Sequence, residues 1–242
     1  MSIEAQTLSV GGLRIDVVRK PIKNLHVGVY PPHGRVRVAA PLAVSDDAVR
    51  LAVVTRLPWI KRQRARFAAQ PRQSERAYVS GETHYFMGRP YRLRLIEGAS
   101  AGRVHICSSK ALDLFVRTGS DRATRERAFL GWYREELRSL ATPMIEKWSA
   151  KLALPLPIWG IKRMKTKWGA CNVDAGRIWL NLELAKKLPQ SLEYVVVHEL
   201  VHFLERQHSE RFVALMDGAL SNWRLLRDEL NAEPLAHEAW DC

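Results

Sequence analysis

Cysteine is scarce and poorly placed for pairing. Cys107, Cys171 and Cys242 are three in 242 residues, an odd number at wide spacings, which excludes a disulfide framework and a cysteine zinc knuckle. A reducing cytoplasm is the expected compartment. Long apolar runs are missing as well. None approaches the roughly 18 residues of a membrane span, and residues 38–44 are interrupted by Pro41. The opening Met-Ser-Ile-Glu-Ala-Gln-Thr lacks a basic region followed by an apolar one, so no secretory leader is expected.

Positive charge is abundant. A net charge of +13 favours polyanionic partners, nucleic acid among them, through counterion release and long-range steering. The densest basic cluster covers residues 61–66 and continues to Arg72 and Arg76. No aromatic residue interleaves within residues 61–66, so the cluster reads either as an anion-binding face or as a solvated helix surface. The 47% hydrophobic content is enough for the core of one large domain or two modest ones.

Alternation with period two at Leu13, Ile15 and Val17, at Leu25, Val27 and Val29, and at Val36 and Val38 predicts a small antiparallel meander. Ser45 then caps a helix over about 46–69 that Pro58 should kink or split. Short alternating runs recur between Tyr78 and Val116, punctuated by glycines, and extend the β-rich half. From Ser120 the period is helical. Ala128, Trp132, Leu137 and Leu140 mark the buried side of a helix reaching toward Leu152, with Pro143 a bend. Residues 157–184 read as one β-hairpin, with strands over 161–171 and 177–184 about a turn at 172–176. A last helix is expected from Ser209 to about Asn231, with Phe212, Leu215, Met216, Leu220 and Trp223 inward. The fold class is therefore α+β, with a β-rich region over 1–119 and a helical region over 120–242.

Within the helical region, residues 189–212 hold His198, Glu199 and His202 in the order H-E-x-x-H, and His208 comes six residues later. On a helix, positions i and i+4 share one face, so two imidazoles can bind one metal while Glu199 reaches a metal-bound water as general base. Val196, Leu200, Phe203 and Leu204 fall on the opposite arc and supply a core-facing stripe. His208 cannot join by continued helix, since it would lie roughly 9 Å further along the axis. The chain must turn after about 204–206, and Ser209 makes a fitting N-cap for the next helix. The spacing matches the third ligand of metzincins, but Glu205 stands where they have glycine, so the turn must differ. Glu205 is a candidate to orient a ligand histidine, and Arg163 or Lys165 to stabilise an oxyanion or contact substrate. Imidazole ligands suit manganese, cobalt and nickel as well as zinc.

Met164-Lys-Thr-Lys-Trp168-Gly-Ala-Cys171-Asn, Ile178-Trp-Leu-Asn181, Leu188-Pro189, Tyr194-Val-Val-Val-His198-Glu-Leu and His208-Ser209 closely resemble the YgjP-like metallopeptidase family, a zincin family related more distantly to SprT-like proteases. Ala40-Pro41-Leu42, Trp59-Ile60, Gly88-Arg-Pro-Tyr-Arg-Leu93 and Trp132-Tyr133 carry the likeness over nearly the whole chain. The resemblance implies a zincin-like carboxy-terminal half, Zn2+ on His198, His202 and His208, Glu199 as catalytic base, and hydrolysis of a protein or peptide substrate. It also implies an edge strand beside the cleft that pairs with extended substrate. Two other classes remain: a nucleic-acid-associated protein, such as a protease recruited to DNA-bound protein, and a structural zinc module without turnover.

Overall fold

The computed structural model describes residues 5–30, 34–69, 76–98, 102–164 and 167–232, apart from the side chains of Ala5 and residues 66–69. The chain divides into two compact units between Gln73 and Ser74. No described helix is long and apolar enough to cross a membrane.

The first unit is a four-stranded sheet with two helices. Strands β1 (Ala5–Val10) and β2 (Leu13–Lys20) form a hairpin about Gly11 and Gly12, whose φ of +55° and +74° meet the need of a two-residue primed turn. Strands β3 (His26–Tyr30) and β4 (Arg35–Pro41) pair antiparallel, but β4 also pairs parallel with β2, giving the order β1-β2-β4-β3. This replaces the expected meander. Alternation specifies which residues face inward and not which strands are neighbours. Ile15, Val17, Val36 and Val38 are fully or almost fully buried, so β2 and β4 take the centre, while the half-buried valines of β3 take an edge. Helix α1 (Asp46–Thr55) is capped by Ser45, whose hydroxyl accepts from Ala48 N. It ends at Arg56, and α2 (Leu57–Ala69) begins with Pro58 in its first turn, where no N–H is needed. Val49, Val53 and Ile60 seal the sheet's inner face.

The second unit holds another sheet, β5 (Thr83–Phe86), β6 (Arg89–Glu97), β7 (Arg103–Ser108) and β8 (Ala111–Val116), in the order β5-β6-β8-β7. It is followed by α3 (Arg122–Lys151), capped by Asp121 and continuous through Pro143. The sequence places a boundary between residues 119 and 120; the structure places none there. Phe86, Leu93, Leu112 and Leu114 share one core with Phe129, Trp132 and Tyr133, and the Phe86 and Trp132 rings lie 4.8 Å apart. A helix with a wide aromatic stripe needs a sheet to bury it, and this sheet is the one that does so.

Beyond α3, residues 157–184 form three strands instead of one hairpin. β10 (Gly169–Asn172) and β11 (Arg177–Asn181) make the hairpin, and β9 (Ile158–Lys162) pairs parallel on the other side of β11. A 3-10 turn (Leu182–Lys186) replaces the end of the expected second strand. It accepts hydrogen bonds at Ala185 O and Lys186 O from Met87 N and Gly88 N of the β5–β6 turn. Helix α4 (Pro189–Val201) packs on α3, and α5 (Glu210–Ala219) and α6 (Trp223–Ala232) close around it. The single final helix expected from the sequence is broken at Leu220, which turns extended at φ −141°. Asp217 holds the break, accepting from Trp223 Nε1 at 2.8 Å and from Arg224.

Candidate metal centre

Helix α4 starts with Pro189 at its first position, and Leu192, Val195, Val196, Val197, Leu200 and Val201 are all buried. So apolar a helix stays put only with core on most sides, and that rigidity fixes His198 and Glu199 in its last turn. The helix ends earlier than expected. His202 is its C-cap residue, still at αR angles, and Phe203, Leu204 and Glu205 tighten the exit with N–H bonds to Leu200 O and Val201 O. Ser209 then caps α5, its hydroxyl accepting from Phe212 N. The short turn swings His208 back over α4.

One nitrogen of each of His198, His202 and His208 lies within 4.8 Å of the others. The Nε2 atoms of His198 and His208 are 3.1 Å apart. Two nitrogens at 2.0–2.1 Å from a tetrahedral zinc stand about 3.3 Å from each other, so the spacing fits a shared ion. Burial drives the His198 imidazolium down to about pKa 3, helped by the neighbouring His202 and His208 rings, and lowers that of His202 as well. These two rings are therefore neutral, as a metal requires.

Phe212, which the sequence marks only as an inward residue of the last helix, sits with its ring below all three imidazoles. Its centroid is 5.0, 4.8 and 4.7 Å from those of His198, His202 and His208. His202 Nδ1 lies 3.2 Å from the backbone carbonyl of Glu205, leaving Nε2 for the cluster. Glu205 thus orients a histidine through its main chain; its carboxylate accepts from Gln207 N instead. His198 Nδ1 is buried without a hydrogen-bond partner, so Tyr194 and Phe212 hold that ring by packing.

Glu199 is 5% exposed and lies against β10. A Cβ on Gly169 would stand 2.7 Å from Glu199 Cγ, so only glycine lets the strand pass this close. Burial pushes the Glu199 carboxyl up to about pKa 8, with Lys167 pulling the other way. The cleft above, about 730 Å3, is lined also by Lys167, Trp168, Cys171, Asn172 and Arg206. Burial and the nearby Glu199 raise the Cys171 thiol to about pKa 11, which keeps it protonated.

Arg163 is not part of this lining; it pairs with Glu126 at 3.5 Å. Lys165 lies outside the described residues, as do Arg72 and the side chain of Arg66. Lys167 and Arg206 are the cations that line the cleft among the described residues, and Arg206 is paired with Asp174. Asn181 places Lys167: fully buried, it donates to Met164 O and Lys167 O at 2.8 and 2.7 Å and accepts from Met164 N and Glu183 N. An asparagine satisfied at both ends clamps the segment that enters β10, and each bond lost there would strand a buried group at about 1–3 kcal/mol. The only sequence signal for this clamp is an asparagine at the end of a strand.

No curated protein matches the chain. The crystal structure of the metallopeptidase zymogen of Pyrococcus abyssi abylysin is similar over 36% of this chain and 89% of its own, at 18% identity and a TM-score of 0.34. The family model for the YgjP-like metallopeptidase domain matches residues 24–233, and the chain belongs to that family.

Proposed function

We propose that the protein is a zinc-dependent peptidase, with His198, His202 and His208 holding the metal and Glu199 acting as general base. The observation that carries this reading is the convergence of three imidazoles beside a buried carboxylate at the foot of an open cleft. Three nitrogen ligands leave a tetrahedral site with one open position, the mark of a catalytic centre. A zinc ion held there would serve as a Lewis acid and lower the pKa of water to about 7.

The protein's own groups supply the rest. Glu199, with its proton affinity raised by burial, takes the proton of the attacking water and hands it to the leaving amine. Gly169 keeps the carboxylate from being pushed out of line. Strand β10 is an edge strand in the order β10-β11-β9, so its free main-chain groups can pair with an extended peptide along the cleft.

Glu199→Gln and His208→Ala separate the roles. In Glu199→Gln, peptide hydrolysis should fall by about 10²–10⁴-fold while zinc content by elemental analysis stays at one per chain. His208→Ala should lose both. Hydrolysis that survives Glu199→Gln refutes the base assignment, and zinc that survives His208→Ala refutes the ligand set.

A further inference from the structure

Charge is divided unevenly along the chain. Residues 1–73 carry 13 Lys and Arg against 4 Asp and Glu, a net +9 of the total +13. Three of those four acids are already matched: Asp16 with Arg35, Asp46 with Arg19 at 2.5 Å, and Asp47 with Arg50 at 3.0 Å. The surplus is therefore carried by cations such as Arg14 and Arg37, which have no ion-pair partner among the described residues.

The sheet of this unit gives the surplus a shape. Its inner face is sealed by α1 and α2, while Thr7, Ser9, Arg14, Arg35 and Arg37 are exposed on the outer face. Across the strands, Arg37 pairs in register with Asp16 on one side and Gly28 on the other, and Arg35 with Tyr30. Tyr30 is 42% exposed, and its ring lies across Gly28: a Cβ there would meet Tyr30 Cε2 at 2.7 Å. A flat aromatic ring thus rests on the sheet beside a row of arginines. At the rim, the stem of Arg64 from α2 covers Gly34, so a further cation borders the strand end that carries Arg35.

We propose that this outer face binds single-stranded nucleic acid, with Arg14 and Arg37 contacting phosphates and Tyr30 stacking on an unpaired base. Cations in register with an aromatic platform on an open sheet are what a stacked single strand requires. Paired bases within a duplex offer no such face to a ring. The helix cluster of residues 61–66 has an exposed ring beside it, Trp59, but on a curved helix surface and not on an open sheet, and anionic lipid would reward charge alone.

Binding of the full chain to labelled oligo(dT) and oligo(U) by fluorescence anisotropy tests this, and the tighter of the two identifies the sugar preferred. Affinity should fall with salt by about 0.7 log units per log unit of salt for each phosphate contact, so Arg14→Gln with Arg37→Gln should lower the slope by about 1.4. Tyr30→Leu should weaken binding about fivefold or more with the slope unchanged, and Tyr30→Phe should retain it. Circular dichroism melts identify any variant that has merely unfolded. Glu199→Gln should bind as the native chain does, because the metal centre plays no part. The proposal is overturned by no binding at about 50 mM salt, by tighter binding to duplex, or by phosphatidylserine vesicles competing for the same arginines. Loss of binding on substituting Lys61 and Arg62, with the sheet variants unaffected, overturns it too.

Discussion

The two four-stranded sheets share one plan. Each is a hairpin, then an edge strand, then a strand that returns between them, so the pairings run antiparallel, parallel, antiparallel in both β1-β2-β4-β3 and β5-β6-β8-β7. Each leads into a helix with a side-chain N-cap, Ser45 or Asp121. Beyond the cap the two diverge. The first helix stops after 10 residues and is succeeded by a second that turns back over the same sheet. The other runs for 30 residues: Phe129, Trp132 and Tyr133 cover the sheet, and Leu137, Ala141, Ile145 and Trp148 continue beyond it into the core that holds α4. One module, ended early, is a small basic unit; the same module with an uninterrupted helix becomes the scaffold of the candidate metal centre.

Helix continuity is then the feature to break first. Pro58 lies in the first turn of α2, where its missing N–H costs nothing, whereas Ala141 is fully buried in mid-helix. Ala141→Pro would remove the bond to Leu137 O and press a ring on that carbonyl, costing about 3 kcal/mol or more. Urea denaturation should show that loss, and zinc content and peptidase activity should vanish together. Pro58→Ala should change stability by less than about 1 kcal/mol and leave both intact. Pro143 does not spoil the contrast, because it is exposed and the carbonyl it strands belongs to exposed Ser139.

The same contrast explains what can be read from sequence. His198, Glu199 and His202 sit on one helix, and the cap at Ser209 announces the return that brings His208; all of that information is local. The β2–β4 and β6–β8 parallel pairs are invisible to alternation, which is identical for either neighbour. Phe212 reads as ordinary core because its spacing is that of any buried helical residue, and only the fold shows three imidazoles above it. Asn181 acts through backbone groups of a distant segment and Gly169 through its closeness to the Glu199 side chain, for which composition carries no signal. The division at Gln73 is hidden because the second sheet resembles the first in pattern while its helix partner is different.

A buried histidine offers a second way to tell the units apart. His84 lies between Tyr78 and Phe129, with ring centroids 5.4 and 4.5 Å away, and its Nε2 is 3.1 Å from Glu82 Oε2. Burial lowers it to about pKa 4, although the bond to Glu82 resists. Because the folded value lies below the unfolded one near 6.5, the unfolded chain binds the extra proton between them. The stability that His84 contributes is therefore fully present above pH 6.5 or so and should be lost, by up to about 3 kcal/mol, as pH drops toward 4. The first unit has no buried histidine among its described residues. Urea midpoints across that range should fall for the second unit and stay nearly flat for the first, and His84→Gln should remove the His84 share of the slope and leave the share of His198 and His202. A slope unchanged by His84→Gln would assign the effect elsewhere.

The smallest effect comes from an equivalent position in the two sheets. At the parallel pair, Arg94 stands opposite Asp113 as Asp16 stands opposite Arg37. In the second sheet the pair closes as a fork, Nε to Oδ1 at 2.6 Å and Nη2 to Oδ2 at 2.7 Å, whereas Asp16 turns to Arg35 and leaves Arg37 in solvent. The Arg94 hydrogen bonds hold the Asp113 carboxyl below its ordinary range. A depressed carboxylate contributes stability above the unfolded value near 3.9 and loses it as pH falls through the folded one. Because Arg94 is half exposed, solvent screens the pair, and Asp113→Asn at neutral pH should cost about 1 kcal/mol or less. Arg37→Gln, with no partner to lose, should cost nothing measurable in the same melts. If the two variants cost the same, the fork contributes no more than a solvated charge, and the sheets differ in their helices alone.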